Sequence, residues 1–304
     1  MTSGGSETDP LIGKRLREYR ILELIGKGGM AKVYKARHCL LDDLRAIKFL
    51  RPELQHRQEC VARFHREAQI MVQLRNKHLV MLYEFGTVGD NELLFLVMEY
   101  LEGESLRRRL RRSSWLPPAD AVRVVKQVAL GLADAHELGI VHRDISPDNL
   151  LMVPTERGET LKVIDFGIAK NVFAGGGKIT QTMKLVGKAE YVAPEQICAP
   201  SGDDDEEAID GRTDIYALGV TFYELLTGTK PFEAKNSKAM LAKHLTETPR
   251  PFAAANPMVR VPEPLEQLVH RMLAKSKEER PSSMKSLFME LTALNHDLPM
   301  LTPV

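Results

Sequence analysis

Cysteine is scarce: Cys39, Cys60 and Cys198 are three in 304 residues, far apart and odd in number. They offer neither a disulfide framework nor the spacing of a metal site, which points to a reducing cytoplasm. A surplus of positive charge is also missing. Lys and Arg number 42 against 41 Asp and Glu, a net charge of +1, so nucleic acid is not expected as a partner. No apolar run reaches about 18 residues, so no membrane span is expected. The opening "MTSGGSETDP" has no basic segment leading into an apolar one, so no signal peptide is expected. Internal repeats are lacking as well. Disorder over most of the length is excluded by 43% hydrophobic and 27% charged residues.

A chain of this length suits one large domain or two lobes sharing a cleft. From Tyr19 to Tyr100, short β-type runs alternate with glycine-bearing turns: "YRILELIG", "KVYKARH", "LRAIKFL", "LVMLYEFG" and "LLFLVMEY". One helical segment, "ECVARFHREAQIMVQL", interrupts them, with Val61, Phe64, Ala68, Met71 and Val72 near one face. From about Ser105 the pattern turns helical, notably in "ADAVRVVKQVALGLADAHELG" and "IYALGVTFYELLTG". Three stretches read as surface or loop. They are the glycine-rich "AGGGKITQT", the acidic "APSGDDDEEAIDG" and the basic "LRRRLRRSS", whose arginines read as the wet face of a helix.

Chemistry is concentrated in a few patterns. In "IGKGGMAKV", Gly26 and Gly28 lie on a strand-to-strand turn, which excludes a dinucleotide fingerprint and fits a flap whose amides cover phosphates. Lys48 sits in the apolar strand "RAIKFL", where an ammonium needs an anion, and Glu67 on the next helix is a candidate. His142, Arg143, Asp144 and Asn149 have the H-R-D-x-x-x-x-N spacing. Asp165–Phe166–Gly167 and Ala193–Pro194–Glu195 follow in order.

Taken together, these motifs resemble those of the protein kinase family over about residues 12 to 295, and most of all the bacterial Ser/Thr kinases of eukaryotic type. The resemblance implies an α+β fold of two lobes, a small β-rich one and a larger helical one, with an ATP cleft between them. Its implied layout is a flexible tail over 1–10, an N-lobe over 11–98, a hinge over 99–104 and a C-lobe over 105–297. The activation segment is 165–195, and a C-terminal tail covers 298–304. The activity implied is transfer of the γ-phosphate of ATP to Ser/Thr hydroxyls of a protein substrate. Asp144 would accept the hydroxyl hydrogen, while Asn149 and Asp165 would hold Mg²⁺, or Mn²⁺ in its place. Lys48, aimed by Glu67, would meet the phosphates. Ile25, Gly26, Gly28, Val33, Ala46, Met98, Glu99, Leu101 and Leu151 would surround the nucleotide. His142, Phe166, Met71 and Leu82 match the family's apolar stack. Asp214, and the pair Glu195 and Arg280, match its scaffold.

Two positions depart from the family pattern. Relatives carry a lysine where this chain has Ser146, and a threonine where "GKAEYVAPE" has Lys188. Loss of one ammonium and gain of another suggests that Lys188 supplies the missing charge. Thr180 and Thr182 in "KITQTMK" are the expected regulatory phosphorylation sites, served by Arg143 and modified within a homodimer. The rival reading is a pseudokinase that binds nucleotide and acts as a scaffold, against which Lys48, Glu67, Asp144, Asn149 and Asp165 all speak.

Overall fold

A computed structural model describes residues 9–89, 92–166, 189–198 and 209–295. The chain divides into two compact units, Met1–Arg75 with Val80–Glu102, and Asn76–Leu79 with Gly103–Val304. No helix among the described residues is long and apolar enough to cross a membrane.

The first unit is an antiparallel sheet of six strands with one long helix. The strands are β1 (Arg15–Leu16), β2 (Tyr19–Lys27), β3 (Ala31–His38), β4 (Leu44–Leu50), β5 (Leu82–Val88) and β6 (Leu93–Glu99), in the order β1-β2-β3-β4-β6-β5. Alternation along each strand divides the residues between two faces. Tyr34, Ile47, Phe49, Phe95 and Val97 pack into an apolar cluster on one of them. The register puts Gly26 beside Val33, Val33 beside Lys48, and Ala46 beside Met98 on the opposite face. The end of the expected tail is anchored, because Asp9 accepts from Lys32 Nζ at 2.7 Å and from the Tyr34 hydroxyl at 2.9 Å.

Helix α1 (Gln58–Met71) buries Cys60, Arg63, Phe64, Glu67, Ala68 and Met71. Its inward face is therefore turned from the one expected. Val72 is exposed and two charged residues face inward, because the helix packs around an ion pair rather than along a purely apolar stripe. The strand expected from Leu79 starts only at Leu82. Leu79 instead bridges to Val163, and Asn76 Nδ2 donates to Asp134 at 2.7 Å, so this short segment belongs to the second unit.

The second unit is mainly helical. It contains α2 (Leu106–Ser113), α3 (Pro118–Glu137), α4 (Pro194–Cys198), α5 (Gly211–Thr227), α6 (Ser237–Thr246), α7 (Phe252–Ala255), α8 (Glu263–Met272) and α9 (Met284–Asn295). A small sheet joins β7 (Glu104–Ser105), β8 (Leu150–Thr155) and β9 (Gly158–Val163). Helix α5 is the central element, buried continuously from Thr213 to Thr227. Asp210 caps its start by accepting from Arg212 N at 2.8 Å. Gly228 ends it at φ 76°, where a Cβ would lie 2.7 Å from the Ser114 carbonyl oxygen.

Candidate active site

In the first unit, sheet register assembles five of the expected residues on one face. Gly26, Val33, Ala46, Lys48 and Met98 are paired across β2, β3, β4 and β6. Gly28 closes the turn between β2 and β3 through its amide, which donates to the Ala31 carbonyl at 2.8 Å. Ile25 is exposed beside it. Glu99 ends β6 and Leu101 lies just beyond, outside any strand. Lys48 Nζ donates to Glu67 Oε1 at 2.6 Å. Glu67 is 5% exposed, so the pair is largely shielded from water and screened little by salt. It fixes an ammonium on the face that also carries the bare glycine backbone.

In the second unit, the order of the loop 141–149 comes from helix α5. Asp214 Oδ1 accepts from the Arg143 amide at 2.7 Å, and Oδ2 accepts from the His142 amide at 2.8 Å and from His136 Nε2 at 2.8 Å. Burial alone would push the Asp214 carboxyl up. The hydrogen bonds from His136 and the His142 amide outweigh it and hold the carboxyl below the usual carboxylate range. His142 Nδ1 accepts from the Asp144 amide at 3.2 Å, while Nε2 donates to the Ile164 carbonyl at 3.2 Å. The His142 and Phe166 rings stand 4.7 Å apart. Met71 and Leu82, the other members of the expected stack, are buried and half-buried in the first unit.

Asp144 and Asn149 are locked together. Asn149 Nδ2 donates to the Asp144 carbonyl at 2.9 Å and to its carboxylate at 3.1 Å. The amide nitrogen is thereby committed, which leaves Oδ1 as the atom to face a cation. The Ile164 amide donates to the Asn149 carbonyl at 2.9 Å, placing Asp165 next to the same loop. Arg143 and Asp165 take φ of 65° and 54°, a region uncommon for residues with side chains. Leu151 follows on β8. An amide oxygen and a carboxylate are hard donors that fit Mg²⁺, with water and phosphate oxygens completing the shell.

Ser146 is fully buried, and its Oγ has no hydrogen-bond partner among the described residues. Lys188, Thr180, Thr182 and Gly167 lie outside the described residues. Glu195 and Arg280 form a two-pronged pair at 2.8 and 2.9 Å, and Thr213 Oγ1 adds a bond to Glu195 at 2.7 Å. Burial would raise the Glu195 carboxyl, but the Arg280 hydrogen bonds and charge hold it below its ordinary value.

One participant escaped the sequence reading. Arg107, in the basic run taken as wet surface, is half-buried, and Nη1 donates to Glu224 at 2.6 Å. Its partner lies 117 residues away, and no local pattern reveals it.

The description "Protein kinase domain" matches residues 19–292. The chain is 37% identical over 295 residues to the serine/threonine-protein kinase pkn3 of Myxococcus xanthus, covering 96% of this chain and 52% of that one. It is 36% identical to PrkC of Bacillus subtilis, with 94% and 42% covered. Against PknB of Mycobacterium tuberculosis it is 32% identical, with 92% and 43% covered. The chain thus spans about half the length of the curated relatives it matches. The solved PknI kinase domain of Mycobacterium tuberculosis shares the fold, with a TM-score of 0.68 at 24% identity, covering 92% of this chain and 98% of that one. The chain belongs to the protein kinase family, among the bacterial serine/threonine kinases of eukaryotic type.

Proposed function

We propose that this protein transfers the γ-phosphate of ATP to serine and threonine hydroxyls of proteins. The observation that carries the reading is the shielded Lys48–Glu67 pair at 2.6 Å. A scaffold would have no chemical use for an ammonium fixed at such a desolvation cost. The relatives named above are serine/threonine-protein kinases, which supports the choice of acceptor.

In this reading Asp144 accepts the hydrogen of the acceptor hydroxyl and aims its oxygen. Asn149, whose Nδ2 is tied to Asp144, and Asp165 would hold two Mg²⁺ ions, through the amide oxygen of the one and the carboxylate of the other. The metal, when bound, neutralises charge on the transferring group. Lys48 binds phosphate oxygens. Val33, Ala46 and Leu151 supply apolar contact to the base, Met98 guards the rear of its pocket, and the backbone near Glu99 and Leu101 supplies hydrogen bonds. Incubation with Mg·ATP and a general acceptor protein tests the reading. Wild type should transfer phosphate and Asp144→Asn should not. Nucleotide binding by wild type without any transfer would instead indicate a scaffold.

Lys188 replaces the catalytic-loop lysine in this proposal. Ser146 is buried and short, so it delivers no charge of its own. The segment after Lys188 reaches the same loop, since Gln196 Nε2 donates to the Arg143 carbonyl at 3.2 Å. Lys188→Met should slow transfer by about 10²–10³-fold, the cost of one preorganised donor to the transition state. Turnover near wild type in that variant would end the idea.

Thr180 and Thr182 are proposed as self-phosphorylation sites within a homodimer, with Arg143 as a phosphate partner. Phosphopeptide mapping should find phosphate on one or both, and an inactive Asp144→Asn chain mixed with wild type should be labelled at the same sites. Absence of label on the inactive chain argues against modification between copies.

A further inference from the structure

Ahead of residue 19, where the family match begins, the chain makes a turn of its own. The Gly13 amide donates to the Ile21 carbonyl at 2.9 Å, and the Ile21 amide donates to the Lys14 carbonyl at 3.0 Å, which lays this segment alongside β2. Leu11 packs against the apolar cluster that contains Tyr34, Phe49 and Phe95. Asp9 stands at the head of the turn. Its Oδ1 accepts from the Leu11 amide at 3.2 Å and from the Tyr34 hydroxyl at 2.9 Å, and its Oδ2 accepts from Lys32 Nζ at 2.7 Å. The Asp9 side chain is only 11% exposed. Burial would raise its carboxyl, but the bonds from Lys32, the Leu11 amide and Tyr34 outweigh it and hold the carboxyl below its ordinary value. Burial and then Asp9 push the Tyr34 hydroxyl up, so it remains a neutral donor. A carboxylate committed to three donors is a fastener rather than a solvated surface charge.

What it fastens is the glycine flap. The flap leaves β2 at Lys27 and returns on β3 at Lys32, and these two residues pair across its root. Between them Gly28 and Gly29 give the backbone a freedom that other residues lack. Lys32 and Tyr34 are two positions apart on β3, so their side chains leave the same face. Lys32 lies opposite Phe49, a member of the apolar cluster, whereas Val33 lies opposite Lys48. Asp9 therefore grips the returning strand from behind, on the face turned away from Val33 and Lys48. Its hold on Lys32 keeps that ammonium on the far side of the sheet from Lys48.

We propose that Asp9 is a positioning residue for the nucleotide phosphates, which holds the flap in place through Lys32 and Tyr34. The segment ahead of the family match is thereby a working part of the nucleotide site, although it lies behind the sheet. With the strap cut, the flap samples more positions, and apparent affinity for a phosphate-bearing ligand falls by the fraction of flap left in the competent one. The inference rests on the protein kinase reading above, because that reading assigns the flap to ATP.

The test compares two ligands, Mg·ATP and adenosine, titrated calorimetrically into the full chain. Wild type should bind both. Asp9→Asn, nearly the same shape, should weaken Mg·ATP about tenfold, as expected if about one flap in ten stays in place. Adenosine should change by less than about twofold, since it has no phosphate for the flap to cover. KM for ATP should rise with the loss of affinity, while KM for the acceptor protein stays as it is in wild type. Lys32→Met should repeat the pattern, and the double variant should be no worse than either single one, because all three cut one connection. If Asp9→Asn does not fold, Lys32→Met carries the test, since the bonds of Asp9 to Tyr34 and Leu11 remain. A further arm needs no nucleotide: hydrogen exchange at the Gly28 amide, which donates to the Ala31 carbonyl at 2.8 Å, should quicken in the variants while exchange in α5 does not.

A lower melting temperature with an unchanged ratio of ATP to adenosine affinity would show a role in stability alone and overturn the proposal. So would equal weakening of both ligands, additive losses in the double variant, or unaltered exchange at Gly28. Failure of wild type to bind Mg·ATP would instead defeat the kinase reading and this inference with it, whereas wild-type binding matched by every variant defeats this inference alone.

Discussion

Arg280 and Lys48 are both cations held by glutamates, one in each unit, yet their surroundings differ. The Arg280 side chain is completely buried, and all five of its N–H donors are used. Two go to Glu195, and the others to the carbonyls of Ala274, Arg212 and Lys275. Lys48 brings a compact ammonium on a flexible stem, aimed by Glu67. A saturated guanidinium can only hold things together. An ammonium can be aimed by one oxygen and still turn its hydrogens toward others. On the proposed function, the contrast separates fastening from chemistry.

The largest effect expected is on the fastening side. Arg280→Ala removes a fully buried cation, leaves the half-buried Glu195 carboxylate unpaired and should cost about 3–5 kcal/mol of unfolding free energy, measured by urea titration. A loss under 1 kcal/mol would break the comparison. Lys48→Met should act on the other axis, slowing transfer by about 10²–10³-fold, some 3–4 kcal/mol of barrier. If it lowered stability as much as Arg280→Ala, with the remaining activity unchanged, the two pairs would not differ in kind.

Acid should sharpen the contrast, because the Arg280 region carries its own titrating groups. Arg280 lies over the Tyr216 ring, whose hydroxyl meets His244 Nδ1 at 2.8 Å. Burial, helped by the nearby Lys275 charge, pushes His244 down to about 4. Its unfolded value is near 6.5, so between pH 6.5 and 4 the unfolded chain binds a proton that the folded one refuses. Stability should therefore fall by about 2 kcal/mol from pH 7 to pH 5, and His244→Asn should flatten that slope. Below about pH 4.5 the depressed Glu195 carboxyl adds to the loss, as the unfolded state protonates first. A smaller effect is expected at Gly228→Ala. Its positive φ and the Ser114 carbonyl should together cost about 1 kcal/mol or somewhat more, visible as a lower melting temperature without a change in KM for ATP.

The sequence made some of this readable and hid the rest for definite reasons. Lys48, Asp144, Asn149 and Asp165 stood out because their motifs are contiguous and ordered. The strands β3 and β4 stood out as short β-type runs between turns. The buried face of α1 did not, because apolar periodicity cannot anticipate a helix that turns Arg63 and Glu67 inward. Arg107 was hidden by its own neighbours, since in "LRRRLRR" nothing separates the arginine that finds Glu224 from those that meet water. Its meaning lies in a partner that only the tertiary fold supplies. Lys188, Thr180 and Thr182 stand on the motifs alone, lying outside the described residues.

Asp214 grips main-chain amides rather than side chains. The curve of the segment from His142 onward is thus secured by atoms that every amino acid except proline possesses. The side chains downstream, that of Ser146 among them, take no part in those two bonds. In the proposal for Lys188, that curve is the mould into which another part of the chain delivers a charge.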